Sequence, residues 1–298
     1  MRQEHFEFGS NGERLIGTLY LPSGRAAAAV ITTGPLTSVK EQAAGAYAKA
    51  IAARGFAALA FDHRCFGESG GRPRQFENPA AKVEDIRNAV TALASDKRTR
   101  DLTVGAVGVC AGGGYMAAAV AQDLRIRAFA GVAGVYSDAA QTRQWMGQNF
   151  QPAIDRALAA EEQWQKTGKA ETIPAVAPDG GDVAMPLREA YEFYGTSRGA
   201  TPNYVNAFAV QSRAYTLPFD VLSIAPEIGV PTLVVHSEKA LAPQLARRFF
   251  AALLAPKQEL WLRSEGQIDF YDDPRLIEPV ADAVLQFFTT SSRKHAIR

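Results

Sequence analysis

The residue of this chain with the clearest chemical potential is Cys110, which lies in the run Gly108-Val109-Cys110-Ala111-Gly112-Gly113-Gly114. Glycines two positions before and two positions after the central residue leave room for a sharp, strained turn between a strand and a helix. Such a turn lifts the central side chain clear of the sheet, and here that side chain carries a thiol. Because free cysteine is also among the most buried residue types, a purely structural thiol is the alternative interpretation.

The elements around Cys110 favour the turn. An apolar run, Leu102–Val107, precedes it, and a run of helical character, Tyr115–Ala121, follows it. A strand, a glycine-flanked residue and a helix in this order are the context that the pattern requires. The sequence therefore predicts that Cys110 is presented as a nucleophile.

The rest of the chain alternates apolar runs with helical patterns. An opening antiparallel pair, at Glu4–Phe8 and Leu15–Leu21, is joined by a turn at Ser10-Asn11-Gly12. Further strands are predicted at Ala27–Thr32, Phe56–Phe61, Leu102–Val107, Ile126–Val132, Val230–His236 and Gln258–Leu262. Helices are predicted at Lys40–Arg54, Lys82–Ser95, Gly114–Gln122, Pro243–Leu254 and Leu276–Phe288. This order predicts an α/β fold with a doubly wound, mostly parallel sheet.

The alternation of strands and helices breaks between about residues 137 and 220. This segment is rich in Gln, Ala, Tyr and Trp and is typical of several helices joined by Pro and Gly turns. We expect residues 1–136 and 221–298 to form the core and residues 137–220 to form a helical lid inserted into it. Its aromatic side chains either line an apolar pocket or, more commonly in such segments, pack the insertion onto the core.

Composition narrows the classes of partner. The chain has 298 residues, with 32 Lys and Arg against 31 Asp and Glu, so no basic surface predicts nucleic-acid binding. Two cysteines, Cys65 and Cys110, and four scattered histidines predict neither a structural disulfide nor a metal site. No signal segment and no membrane-spanning run is present, which predicts a cytoplasmic protein with a small-molecule substrate. A monomer and a homodimer both remain open.

Several motifs together resemble the α/β-hydrolase superfamily, near the dienelactone hydrolases and related polyketide-pathway hydrolases. They are the cysteine turn itself and the stretches Val39-Lys40-Glu41-Gln42, Phe61-Asp62-His63-Arg64-Cys65-Phe66-Gly67-Glu68-Ser69-Gly70-Gly71, Tyr191-Glu192-Phe193-Tyr194, Pro202-Asn203-Tyr204 and Asp269-Phe270-Tyr271-Asp272. The resemblance extends over nearly the whole chain. It implies an enzyme that needs no cofactor or metal and that attacks a carbonyl group.

Attack on a carbonyl requires hydrogen-bond donors for the oxyanion that forms. One donor is expected to be the backbone amide of Ala111, at the N-terminus of the helix that follows the turn. That position should also lower the pKa of the Cys110 thiol. The second donor is expected in Thr33-Gly34-Pro35-Leu36-Thr37, and because Pro35 has no N–H, Leu36 is favoured.

The resemblance fails at the general base. Gln267 stands where the family has its catalytic histidine, and a carboxamide cannot exchange a proton near neutral pH. The acidic partner is also absent from its usual place, where Glu238 is the nearest carboxylate. Gln267 could instead donate a hydrogen bond to a bound carbonyl or to the sulfur, or could be a satisfied amide at the rim of a pocket.

Other side chains are weaker candidates. His236, at the carboxyl end of a predicted strand, could replace the missing base, although a structural role is the more common one. His63 is a further, less favoured base. Asp269 is expected to cap a helix or pair with an arginine rather than act in a pocket. Cys65 is expected to be a buried thiol and not a second nucleophile.

Three functions remain open at this stage. Hydrolysis or acyl transfer on a small apolar ester, thioester or lactone through Cys110 leads. A lyase, isomerase or cyclase that uses the same pocket without covalent chemistry would explain the lost base. A ligand-binding protein that has lost catalysis is the third, because a fold does not guarantee an activity.

Overall fold

In a computed structural model of the chain, the backbone of residues 1–295 and the side chains of residues 1–291 are described. The strands are β1 (Arg2–Ser10), β2 (Glu13–Leu21), β3 (Ala29–Thr33), β4 (Ala57–Phe61), β5 (Val104–Val109), β6 (Ile126–Val132), β7 (Thr172–Ile173), β8 (Phe208–Ala209), β9 (Thr232–His236) and β10 (Lys257–Trp261). The α-helices are α1 (Ala43–Ala53), α2 (Pro79–Ser95), α3 (Ala111–Gln122), α4 (Ala139–Met146), α5 (Phe150–Thr167), α6 (Arg188–Tyr194), α7 (Arg213–Thr216), α8 (Pro243–Ala252), α9 (Asp269–Asp272) and α10 (Pro274–His295). Short 3₁₀ turns cover Gly147–Asn149, Val210–Ser212 and Leu222–Glu227.

Eight strands form one sheet in the order β1-β2-β4-β3-β5-β6-β9-β10. Strand β2 pairs antiparallel with β1 and β4, and every other pair in this sheet is parallel. The β1–β2 hairpin turns at Asn11 and Gly12, which both have positive φ. Asn-Gly favours this conformation because neither residue pays a large steric cost there. The prediction of a doubly wound, mostly parallel α/β sheet is confirmed.

Helices cover both faces of the sheet. Helices α1 and α10 pack together on one face, and α2 and α3 pack together on the other, where α8 also lies. All five residues of β3 and of β4 and all six of β5 are buried. Their near-continuous apolar sequences follow from this two-sided burial.

Several predicted boundaries shift for local reasons. The first helix begins at Ala43 and not at Lys40, because the preceding residues form a turn in which Gln42 bonds back to Val39. The second begins at Pro79, where the Asn78 side chain accepts a hydrogen bond from the amide of Ala81. The helix after the cysteine begins at Ala111, so three consecutive glycines are helical despite their low propensity.

Residues 137–220, called the insertion from here on, contain α4 to α7 and the two-stranded ribbon formed by β7 and β8. The ribbon was not predicted, because strands of two residues leave no periodic signal. Polar contacts join the insertion to the rest of the chain. They include a two-pronged ion pair between Arg198 and Asp272, at 2.6 and 2.7 Å, and a hydrogen bond from Gln42 to the carbonyl oxygen of Gly199.

The described residues contain neither a membrane-spanning helix nor a cluster of metal-binding side chains. No helix there combines the length and apolar character that a bilayer-spanning helix needs. No group of three or more His, Cys, Asp or Glu side chains among these residues is arranged to hold a metal ion.

Candidate active site

Cys110 occupies the tight turn between β5 and α3. Its φ of 56° and ψ of −123° lie in a region that L-residues rarely adopt. The flanking glycines are required by close backbone approaches. A Cβ at Gly108 would lie 2.3 Å from the Gly112 carbonyl oxygen, and a Cβ at Gly112 would lie 2.5 Å from that of Gly34. The turn is therefore packed tightly against its own helix and against the backbone of Thr33 and Gly34, as the glycine pattern predicts.

The Cys110 side chain is 6% exposed and faces a cavity of about 370 Å³, here called the Cys110 cavity. Its walls are almost entirely apolar. The core contributes Leu36, Ala111, Tyr115, Gln267, Ile268 and Tyr271. The insertion contributes Met185, Leu187, Ala190, Tyr194 and Phe219, among others. Of the ten aromatic residues of the insertion, Tyr194 and Phe219 line this cavity. Phe193, Tyr191 and Tyr204 pack against the core, and Trp145 is exposed.

Four hydrogen-bond donors lie near enough to Cys110 to lower the pKa of its thiol. Two are the backbone amides of Ala111 and Leu36, and two are the side chains of Tyr271 and Gln267. The structure thus brings together four of the residues that the sequence singled out: Cys110, Ala111, Leu36 and Gln267. Tyr271 adds a donor that was not assigned a role.

Burial raises the pKa of the Cys110 thiol, and the four hydrogen bonds only partly oppose this effect. The expectation that the helix N-terminus lowers this pKa is therefore corrected. An anion in this apolar surrounding loses more hydration than the helix terminus and the donors return. The group facing the cavity is consequently a neutral thiol near pH 7.

Both ends of the Gln267 carboxamide are held by the backbone. Its Oε1 accepts a hydrogen bond of 2.9 Å from the amide of Leu241, and its Nε2 donates one of 2.8 Å to the carbonyl oxygen of Ala133. Nε2 also lies 3.5 Å from the Tyr271 hydroxyl oxygen. These bonds fix which end of the amide carries the nitrogen, so the remaining N–H of Gln267 points towards Tyr271 and Cys110.

His236 and Glu238 do not face Cys110, which corrects the expectation that they act with it. His236 is fully buried, with its Nδ1 3.0 Å from the carbonyl oxygen of Ser237 and its ring against Trp261. Burial lowers the pKa of this imidazole. Glu238 is exposed and pairs with Arg247 at the surface. Neither side chain lines the Cys110 cavity.

The weaker candidates also lie elsewhere. His63 is buried with its Nδ1 3.3 Å from Asp85, and burial lowers its pKa. Asp269 accepts a hydrogen bond from the amide of Glu265 at 2.7 Å and so caps the turn that enters α9. Cys65 is a buried free thiol whose pKa is raised by burial to about 11.

Sequence reasoning missed a set of buried tyrosines around the thiol. Tyr115, Tyr194 and Tyr271 all line the Cys110 cavity, and burial raises the pKa of each. All three are neutral hydrogen-bond donors over the physiological pH range. One signal was available for Tyr271, which follows Gln267 by four residues and so falls on the same side of a helical turn.

A buried carboxylate, Glu77, links the loop that carries Leu36 to the helix that follows Cys110. Its Oε2 accepts a hydrogen bond of 3.2 Å from the amide of Thr37, and its Oε1 accepts one of 2.7 Å from the Tyr115 hydroxyl. Lys82 neutralises it at 2.6 Å. This carboxylate therefore fixes the Leu36 loop relative to α3, although it does not itself line the cavity.

Comparisons with known proteins agree with this architecture. A family model described as Serine aminopeptidase, S33, matches residues 24–171. Uncharacterized protein PA2218 of Pseudomonas aeruginosa is 32% identical over 294 residues, covering 93% of this chain and 77% of that protein. Thiohydrolase aneE of Aspergillus aculeatus is 30% identical over 274 residues, covering 88% and 82%. The crystal structure of alpha/beta hydrolase GrgF from a Penicillium species matches with a TM-score of 0.82 at 22% identity, covering 98% and 99%.

Proposed function

The chain belongs to the α/β-hydrolase family, and from that premise we propose that Cys110 accepts the acyl group of a small apolar thioester or activated ester. The acyl group then passes to water or to another nucleophile, so the protein acts as a hydrolase or acyltransferase. No metal or organic cofactor takes part in these steps.

The observation that carries this proposal is the convergence on Cys110 of two backbone amides at the mouth of an apolar cavity. The amides of Ala111 and Leu36 both lie near enough to Cys110 to lower the pKa of its thiol. When the sulfur bonds to a carbonyl carbon, the carbonyl electron pair moves to its oxygen, next to the same two amides. Each preorganised donor of this kind typically contributes about 3 to 4 kcal/mol to the stability of the transition state.

The walls of the cavity define the acyl part of the substrate. With side chains such as Met185, Leu187, Ile268 and Phe219 around it, the cavity suits a neutral hydrocarbon group better than a charged one. A thioester suits the neutral thiol because exchange of one sulfur for another at a carbonyl is nearly balanced in energy. The relative named thiohydrolase supports this substrate class.

The setting of the site favours acylation more than hydrolysis. Gln267 cannot act as a base towards water, and the tyrosines around Cys110, whose pKa values burial raises, carry no negative charge with which to do so. This observation keeps a second candidate open, a lyase, isomerase or cyclase in which the two amides polarise a carbonyl without a covalent intermediate. We further propose a reducing cytoplasm as the location, because such a compartment keeps Cys110 as a thiol.

A steady-state test uses acyl thioesters of graded chain length, with release of free thiol as the signal. Cys110→Ala is expected to lower kcat/KM by at least about 10³-fold. Cys65→Ala is the matched control, because Cys65 is the other buried thiol and lies outside the cavity. Turnover that survives Cys110→Ala would favour the non-covalent candidate. Absence of turnover, combined with a rise in Tm on adding the thioester, would favour a protein that only binds ligands.

A further inference from the structure

The thiol proton has no evident acceptor in this site. Cys110 must lose a proton when its sulfur bonds to carbon, and the position of the usual base holds the carboxamide of Gln267. The leaving thiol or alcohol must gain a proton in the same step. A single group able to give one proton and take another would meet both needs.

Tyr271 is the side chain placed to do this. Tyr271 and Cys110 line the same cavity, and the Tyr271 hydroxyl is the group that most lowers the pKa of the Cys110 thiol, so a leaving group attached to the attacked carbon would lie close to this hydroxyl. The hydroxyl oxygen receives the Nε2 hydrogen of Gln267 at 3.5 Å. Because the backbone of Leu241 and Ala133 fixes the Gln267 amide, the phenol proton points away from Gln267 and into the cavity, where the sulfur and a leaving atom would lie.

We propose that the Tyr271 hydroxyl relays the proton of the Cys110 thiol to the leaving group, with Gln267 as the positioning residue that orients it. The inference rests on the proposed function. As the bond from sulfur to the acyl carbon forms and the bond to the leaving atom breaks, the phenol gives its proton to the leaving atom and takes the proton from Cys110. Tyr271 is regenerated, and neither an external base nor an oxidant is needed.

The electrostatics of the site agree with a relay. Burial and the neighbouring Cys110 raise the pKa of Tyr271, so the phenol stays neutral and does not act as a standing base. Tyr194 lines the same cavity, but its hydroxyl has no hydrogen-bond partner among the described residues. Tyr115 donates a hydrogen bond to Glu77, so its hydroxyl hydrogen is not available to Cys110. Of the three phenols, Tyr271 is the one whose hydroxyl lowers the pKa of the Cys110 thiol.

The test measures acylation rates of Tyr271→Phe with one acyl group and leaving groups of increasing basicity. The probes are hexanoyl thioesters of aryl and alkyl thiols, and 4-nitrophenyl hexanoate. A leaving group of low pKa departs as an anion, and the Cys110 proton reaches it or the solvent after the rate-limiting step, whereas an alkyl thiolate must be protonated as it departs. Tyr271→Phe is expected to slow acylation by about 10²-fold for the alkyl thioester and by about threefold or less for the nitrophenyl ester.

Tyr47→Phe is the matched control. Tyr47 is a fully buried tyrosine outside the cavity whose hydroxyl has no partner in the described part of the chain. Its removal should leave all acylation rates within about twofold of wild type. A second readout uses wild-type protein only, so it does not depend on a variant that folds. The relay predicts a normal solvent deuterium isotope effect with the alkyl thioester that shrinks with the nitrophenyl ester.

The outcomes separate the two proposals. An equal slowing of Tyr271→Phe over all leaving groups would overturn the relay, because a structural role does not depend on leaving-group basicity. An isotope effect that is absent with every probe would also overturn it. A wild-type protein that no probe acylates would instead remove the proposed function, and the relay with it.

Discussion

The thiol of Cys110 combines exposure to a cavity with an environment that opposes its ionisation. Cysteine nucleophiles commonly gain reactivity from a lowered pKa, next to a cation or a helix N-terminus. In this chain the helix N-terminus is present, but burial outweighs it and raises the pKa. Reactivity must therefore come from the position of a neutral thiol among donors rather than from a standing thiolate.

This balance predicts the pH dependence of alkylation by iodoacetamide. Because a raised pKa leaves less thiolate at any given pH, the midpoint of the rate profile should lie above about 8.5, the value of an ordinary thiol. The rate should still be rising at pH 9. Cys110→Ala supplies the baseline from Cys65, whose pKa of about 11 keeps its own contribution small. A midpoint below pH 7 would contradict the account of burial.

At the level of elements, the turn between β5 and α3 was predictable from sequence. The side chains that other elements place around Cys110 were not. Glycine at 108 and 112 around Cys110 reports a local steric requirement, so the pattern alone identifies the turn. The position of Tyr271 beside Cys110 depends on how α9 packs against α1 and α10. No periodic signal encodes that packing.

Gly112→Ala tests the tight turn. The added methyl group would lie 2.5 Å from the Gly34 oxygen and 2.7 Å from the Thr33 oxygen, so the loop that carries Leu36 must move away. We expect kcat/KM to fall by about 10²-fold or more, because a shift of about 1 Å in a positioning group has that effect. Unfolding in urea should show a loss of about 1 to 3 kcal/mol.

Gly229→Ala is the control for this substitution. A methyl group there meets no atom within 4 Å, and stability should change by about 0.5 kcal/mol or less. If Gly112→Ala behaves like Gly229→Ala in both rate and stability, the turn does not hold the Leu36 loop in the way described.

For the whole molecule, the sheet and its helices followed from apolar periodicity, and β6 coincides with its predicted run. Strands buried on both faces are recognisable from sequence because nearly all of their residues are apolar. The sequence of the insertion was less informative about structure. Aromatic residues both pack against the core and line the cavity, so residue type does not distinguish the two roles. The three-dimensional packing of the insertion determines that Tyr194 and Phe219 line the cavity and the other aromatic residues do not.

Because the core and the insertion together enclose the Cys110 cavity, the insertion should set the length of the acyl chain. Met185→Ala enlarges the cavity, so the preferred thioester should become longer. Each additional methylene that is buried should raise kcat/KM by up to about fourfold, equivalent to about 0.8 kcal/mol. Leu158→Ala, at an exposed position of α5, is the control and should leave the chain-length profile unchanged. An unchanged profile in Met185→Ala would show that the acyl chain binds elsewhere.

The central claim, that Cys110 becomes acylated, is tested most directly by intact-mass spectrometry after mixing the protein with an acyl thioester and quenching in acid. The account predicts one added acyl group per chain, located at Cys110 by peptide mapping, absent from Cys110→Ala and retained in Cys65→Ala. Wild-type protein that turns over the thioester with no acyl adduct at any quench time, or an adduct that maps to Cys65, would contradict it.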